Sequence, residues 1–120
     1  MDIGNAIAAM KKEPGFPEKV GMILIHNGVV RATSRKDGAP VTELEVHPDQ
    51  AKVEALRREF EARPGIFRIL VEAKSGTFRP GDDLLFIVVA GDIRENVKPT
   101  LAELLDRIKS EAVKKREVLG

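Results

Sequence analysis

The chain has 120 residues, 42% of them hydrophobic and 32% charged, and a formal net charge of +1. Trp and Tyr are absent and only five Phe occur, so the composition predicts one domain with an aliphatic core. The absence of cysteine excludes a disulfide scaffold, a thiolate metal site and a cysteine nucleophile, and the near-neutral charge argues against a general nucleic-acid coat.

Residues 2–12 read as a short helix, because Ile3, Ala6, Ile7 and Met10 recur at helical spacing and Lys11 and Lys12 suit its C-terminal end. Asp2 and the lack of a small-residue cleavage pattern argue against a signal peptide. No run approaches the roughly 20 apolar residues of a membrane span, so the expectation is no membrane and a cytoplasmic address. "EPGFPE" breaks the helix. "KVGMILIHNGVVRATS" predicts a strand from Val20, with Asn27-Gly28 as a bulge or bend within it. "SRKDGAP" is a turn, since Asp-Gly readily adopts positive φ. "VTELEV" alternates as a half-buried strand, with Val41, Glu43 and Glu45 on one side and Thr42, Leu44 and Val46 on the other.

"HPDQAKVEALRREFEARPG" predicts a helix with Asp49 as N-cap and Val53, Leu56 and Phe60 as its apolar stripe; Pro64-Gly65 ends it. "IFRILVEAKSG" is a third strand, "FRPGD" a tight turn, and "DLLFIVVAG" a fourth strand whose unbroken apolar run predicts burial on both faces. The last element reads as a helix from about Lys98 to Arg116, striped by Leu101, Leu104, Leu105, Ile108 and Ala112, with Pro99 near its first turn. The order α-β-β-α-β-β-α, without repeats or linker, predicts a single α+β domain over 1–120 with helices packed on a mainly antiparallel sheet.

The residues themselves give few strong motifs. "RIKSEAVKKRE" places three lysines and two arginines near the end of the last predicted helix, where cations suit the negative end of the dipole and Glu111 and Lys115 form an i,i+4 pair. Asp82-Asp83 reads as turn chemistry and His47-Pro48-Asp49 as a helix entry rather than as ligand sets. His26 and His47 are the only histidines, too few for a histidine-rich metal site.

Four stretches in order resemble the catalytic (large) subunit of molybdopterin synthase, the MoaE family: "GVVRATSR", "VTELEVHPDQAKVEAL", "GTFRPGDDLLFIVVAGDIR" and "LLDRIKSEAVKKRE". The similarity runs from about Val20 to Glu117. It implies an α/β-hammerhead fold and a homodimer. It also implies a partner, a small ubiquitin-like sulfur carrier (MoaD-like) whose C-terminal tail, a glycyl thiocarboxylate, enters the site of a heterotetramer. The sulfur would pass to a phosphorylated pyranopterin to make the dithiolene of molybdopterin. No metal, cofactor or nucleic acid is implied.

Such chemistry needs positive charge for the phosphate, a cation or donor near the developing oxyanion, and an acid, base or transient nucleophile. The resemblance assigns Arg31 and Arg94 to substrate binding and Lys109, near the middle of the last predicted helix, to catalysis. A lysine among cations can have its pKa lowered. The second family lysine falls on Lys114, Lys115 or Arg116 depending on the gap; Lys115 is chosen because it continues the Ile108 stripe. The chain departs from the family at Ile93, where the family has histidine, in lacking a tryptophan near its end, and in its short tail; His26 lies on another strand. Those departures keep open a non-catalytic dimeric member of the same fold, and the same arginines would also suit a small anion- or nucleotide-binding module.

Overall fold

The computed structural model describes residues 1–119. Its elements are α1 (Ile3–Lys11), α2 (Phe16–Lys19), β1 (Met22–Val29), β2 (Val41–Pro48), α3 (Gln50–Glu61), β3 (Ile66–Ala73), β4 (Gly76–Phe78), β5 (Asp83–Gly91), α4 (Arg94–Glu111) and β6 (Val113–Leu119). The fold is α+β, and every strand pairing among the named elements is antiparallel.

Two three-stranded sheets form, ordered β1-β5-β3 and β4-β2-β6, where one sheet was expected. β5 is the middle strand of the first. Its Ile87, Val88, Val89 and Ala90 are fully buried, as its continuous apolar run predicts. α3 and α4 cover one face, where Leu56, Phe60, Leu104 and Ile108 pack with Ile69, Ile87 and Val89. Met10 of α1 packs with Val88 and Ala90 on the other.

β3 is an edge strand of this sheet, and α3 satisfies part of its open side. The Glu61 carboxylate accepts from the Ile69 N–H at 2.9 Å, and Gln50 Nε2 donates to the Ala73 carbonyl at 2.8 Å. Asp49 caps α3 as expected, its carboxylate accepting from the Lys52 N–H at 3.1 Å. Asp2 does the same for α1 through the Asn5 N–H at 3.0 Å.

The second sheet is where sequence patterning misleads. The expected helix to Arg116 stops at Glu111, and residues 113–119 are instead strand β6, paired with β2 from Pro48↔Val113 to Val41↔Leu119. Lys, Glu and Arg are good helix formers, so local propensity favours helix here; pairing with β2 overrides it. Lys109 consequently sits in the last turn of α4, not its middle. The expected Glu111–Lys115 pair does not form; Glu111 pairs with Arg107 and with Lys52. α4 begins earlier than predicted, at Arg94, which puts Pro99 inside the helix rather than in its first turn.

β2 also breaks strict alternation. Val41 is buried with Leu44 and Val46, not grouped with Glu43 and Glu45. An irregularity in the β2–β6 register between Val41 and Glu43 adds one residue to β2 and reverses the facing. The β1–β5 register slips between Gly28 and Val29, but the extra residue, Leu84, is on β5, so the bulge expected within β1 lies on its partner strand. α2 forms where only a break was expected, entered through Gly15 at φ 87° with Pro17 in its first turn.

Candidate active site: a cationic cavity where the two sheets meet

A cavity of about 260 Å³ lies where β1, β2, β6 and the end of α4 converge. Its apolar lining includes Val30, Val41, Leu44, Val46 and Leu84. Five cations line it: Arg31 and Arg35 from the loop after β1, Lys74 just beyond β3, Lys109 from α4 and Lys115 from β6. Glu117 is the one carboxylate in the lining, and His26 completes the ionisable set.

Local structure fixes these positions. The Val30 N–H donates to the Asp82 carbonyl and the Gly81 N–H to the Val30 carbonyl, each at 2.9 Å, which pins the residue before Arg31 to the turn entering β5. Buried Ser34 donates from its hydroxyl to Glu117 Oε1 at 3.0 Å and ties the Arg31–Arg35 loop to β6. Lys74 Nζ lies 5.6 Å from the centroid of the Phe86 ring, a cation–π contact.

Strand alternation selects among the C-terminal cations. Val113, Lys115 and Glu117 face the cavity, while Lys114 and Arg116 do not line it. Arg116 donates from Nε to Glu45 at 2.9 Å instead. Lys115 therefore reaches the cavity by a period of two, not by continuing a helical stripe.

The Lys109 amine has a pKa below the ordinary lysine value. Loss of hydration is the largest cause, followed by the charges of Lys115 and Arg35, with Asp106 opposing. His26 is held below the ordinary histidine value, first by burial and then by Lys109. Its side chain is thus set up as neutral imidazole beside cations.

Arg94 is not brought to this cavity. It stands exposed at the start of α4, its Nε 3.1 Å from Glu95. Ile93 beside it is 52% exposed. Arg35, Lys74 and Glu117 were not singled out in the sequence. Arg35 follows Arg31 by one helical turn of sequence but reaches the cavity through a loop, and Glu117 shares parity with Lys115 only once residues 113–119 are recognised as a strand. Asp82 serves its turn, accepting from the Arg79 N–H at 2.8 Å. Among the described residues no cluster of His, Cys, Asp or Glu is arranged to hold a metal.

The arrangement can bind an anion of small-molecule size and offer it a lysine whose pKa lies below the ordinary lysine value. Comparison with known proteins bears on which anion. A family model described as MoaE protein matches residues 1–111. A curated relative from Haloferax volcanii, a probable molybdopterin synthase, is 33% identical over 95 residues, or 76% of this chain. The chain spans only 36% of that relative's length. Among solved structures, molybdopterin cofactor biosynthesis protein E from Burkholderia multivorans superposes with a TM-score of 0.75 at 22% identity, covering 99% of this chain and 84% of that one. A complex of subunits 1 and 2 of molybdopterin-converting factor from Helicobacter pylori contains a chain with a TM-score of 0.71 at 16% identity, covering 99% and 80%. At these identities the structures speak for the fold.

Proposed function

The chain belongs to the MoaE family, and from that premise we propose that it is a molybdopterin synthase catalytic subunit acting in molybdenum cofactor biosynthesis. It would move sulfur from the thiocarboxylated tail of a small ubiquitin-like carrier to a cyclic pyranopterin phosphate. The observation that carries this reading is the convergence of Arg31, Lys109 and Lys115, assigned from the resemblance, on one cavity from a loop, a helix and a strand.

In this reading Arg31, with Arg35 and Lys74, neutralises the phosphate. Lys109 is the catalytic amine. Its lowered pKa increases the neutral fraction that can act as base or transient nucleophile, and Lys115 both assists that shift and faces developing negative charge. The thiocarboxylate sulfur bonds to a pterin carbon as the oxygen substituent on that carbon departs, and water then cleaves the acyl–sulfur bond, releasing the carrier as a carboxylate and leaving the sulfur on the pterin. Arg94 lies outside the cavity of its own protomer, so its substrate-binding role requires a homodimer that presents it from the second copy. Exposed Ile25, Val29, Ile93 and Leu119 supply apolar surface for such a dimer. The carrier, the resulting heterotetramer and a cytoplasmic site of action belong to the same proposal. The Helicobacter pylori complex of two subunits supports a partner of that kind.

A second reading is a non-catalytic dimeric binding protein of the same family, favoured by Ile93 at the family's histidine position. One experiment separates the two. Thiocarboxylated carrier and pyranopterin precursor are mixed with the protein and molybdopterin is assayed, with Lys109→Ala as control. Product that Lys109→Ala abolishes supports the transferase. No product, with a carrier complex on gel filtration, supports the binding protein.

A further inference from the structure

Nε2 of His26 is the one buried side-chain nitrogen or oxygen without a hydrogen-bond partner among the described residues. Native structures rarely leave such an atom unpaired, and a bound water or ion is a usual partner. Its surroundings favour an anion. His26 and Gly28 face the same side of β1, and both line the cavity. A Cβ at residue 28 would lie 3.2 Å from His26 Nε2 and 3.6 Å from Leu85 Cβ, so glycine at 28 is what lets the imidazole lie close against this part of the strand.

The charged groups that share the cavity with His26 come from several elements. Arg31 and Arg35 line it from the loop, Lys74 from beyond β3, Lys109 from α4, and Lys115 and Glu117 from β6; Lys109 is the charge that acts on the imidazole. β5 contributes apolar Ile87, its partner in the ladder, and Leu85. Five cations against one carboxylate disfavour an imidazolium. A dianion bound against Nε2 would offset that repulsion at the shortest range and favour the protonated ring.

We propose that His26 is a further ligand of the anion in this cavity, taking up one proton from solvent as the anion enters and donating an Nε2–H hydrogen bond to an anion oxygen. The balance is one proton gained per anion bound, with no bond in the anion broken. This rests on the phosphate-binding role proposed above. It gives the site an imidazole from β1 in a chain whose position 93 holds isoleucine.

The test uses the full chain, labelled with ¹³C in histidine and lysine, and inorganic sulfate as probe. Sulfate stays a dianion across the window in which histidine titrates, about pH 5 to 8. Its tetrahedral oxygens stand in for those of a phosphate ester, and chloride keeps ionic strength constant. The expected result is that sulfate raises the His26 titration midpoint by about one unit, equivalent to about a tenfold change in sulfate affinity across the titration. In His26→Gln, sulfate affinity is weaker and loses that pH dependence. Exposed His47, on β2, should not follow. If sulfate shifts the Lys109 signals while His26 is unmoved, the proposal is overturned and the anion site stands. If His26 and His47 move together, sulfate is acting on the whole surface and the proposal is overturned. If neither Lys109 nor His26 responds, the anion site falls and His26 with it.

Discussion

Lys115 on β6 lowers the pKa of Lys109 on α4 across a shared cavity, a strand residue tuning one in the last turn of a helix. Replacing Lys115 by Met removes one of the two like charges holding Lys109 down. The Lys109 pKa should rise toward the ordinary lysine value, and its neutral fraction near pH 7 should fall, by about tenfold for each unit regained. In the reconstituted assay, the rising limb of the pH–rate profile, set by loss of the Lys109 proton, should move to higher pH and the rate near neutrality should fall. Lys115→Arg should preserve both. An unchanged profile in Lys115→Met would show that burial and Arg35, not Lys115, set the amine.

His26 should make stability depend on pH. Its pKa is lowered in the folded state, so between that value and the unfolded value near 6.5 the unfolded chain binds more protons. Folding therefore weakens as pH falls through that window and levels off below it. The melting temperature of His26→Gln, compared with wild type from pH 7.5 to pH 5, should fall less steeply. Parallel curves would mean that the His26 environment contributes no linkage.

Glu61 is predicted to matter beyond its ion pairs with Arg57 and Arg68. Its carboxylate is the acceptor for the Ile69 N–H on the open side of β3, and Ile69 is fully buried. Glu61→Ala should cost about 1–3 kcal/mol in urea unfolding. Glu61→Gln keeps an acceptor oxygen and should cost less.

Leu104 is fully buried in the cluster that joins α4 to α3 and β5. Leu104→Ala should destabilise by about 2–5 kcal/mol, lost transfer energy plus the cavity left behind, as read by chemical denaturation. Because α4 carries Lys109, the same variant should lose the proposed synthase activity at lower temperatures than the wild type.

Legibility in the sequence followed the reach of the interactions involved. The N-cap of α3 at Asp49, the buried run of β5 and the turn at Pro80-Gly81 depend on near neighbours, and the residue pattern carried them. Residues 113–119 depend on β2, more than sixty positions away in the chain, and helix-forming Lys, Glu and Arg concealed the strand. Val41 was placed on the wrong side of β2 because a bulge has no period. For the site, family resemblance supplied Arg31, Lys109 and Lys115. Arg35, Lys74 and Glu117 required the strand parity and loop tether that only the fold provides.

The strand character of β6 also bears on which sequence changes the site can absorb. Facing in a strand is an odd-or-even property. Deleting one residue between Ala112 and Lys115 while the β2 ladder holds would turn Lys115 and Glu117 outward and bring Arg116 in. The Ser34 tether would lose its acceptor at the same stroke. Length change in this segment is therefore tolerable in steps of two, and a single-residue gap there should be more damaging than most substitutions of the lysine itself.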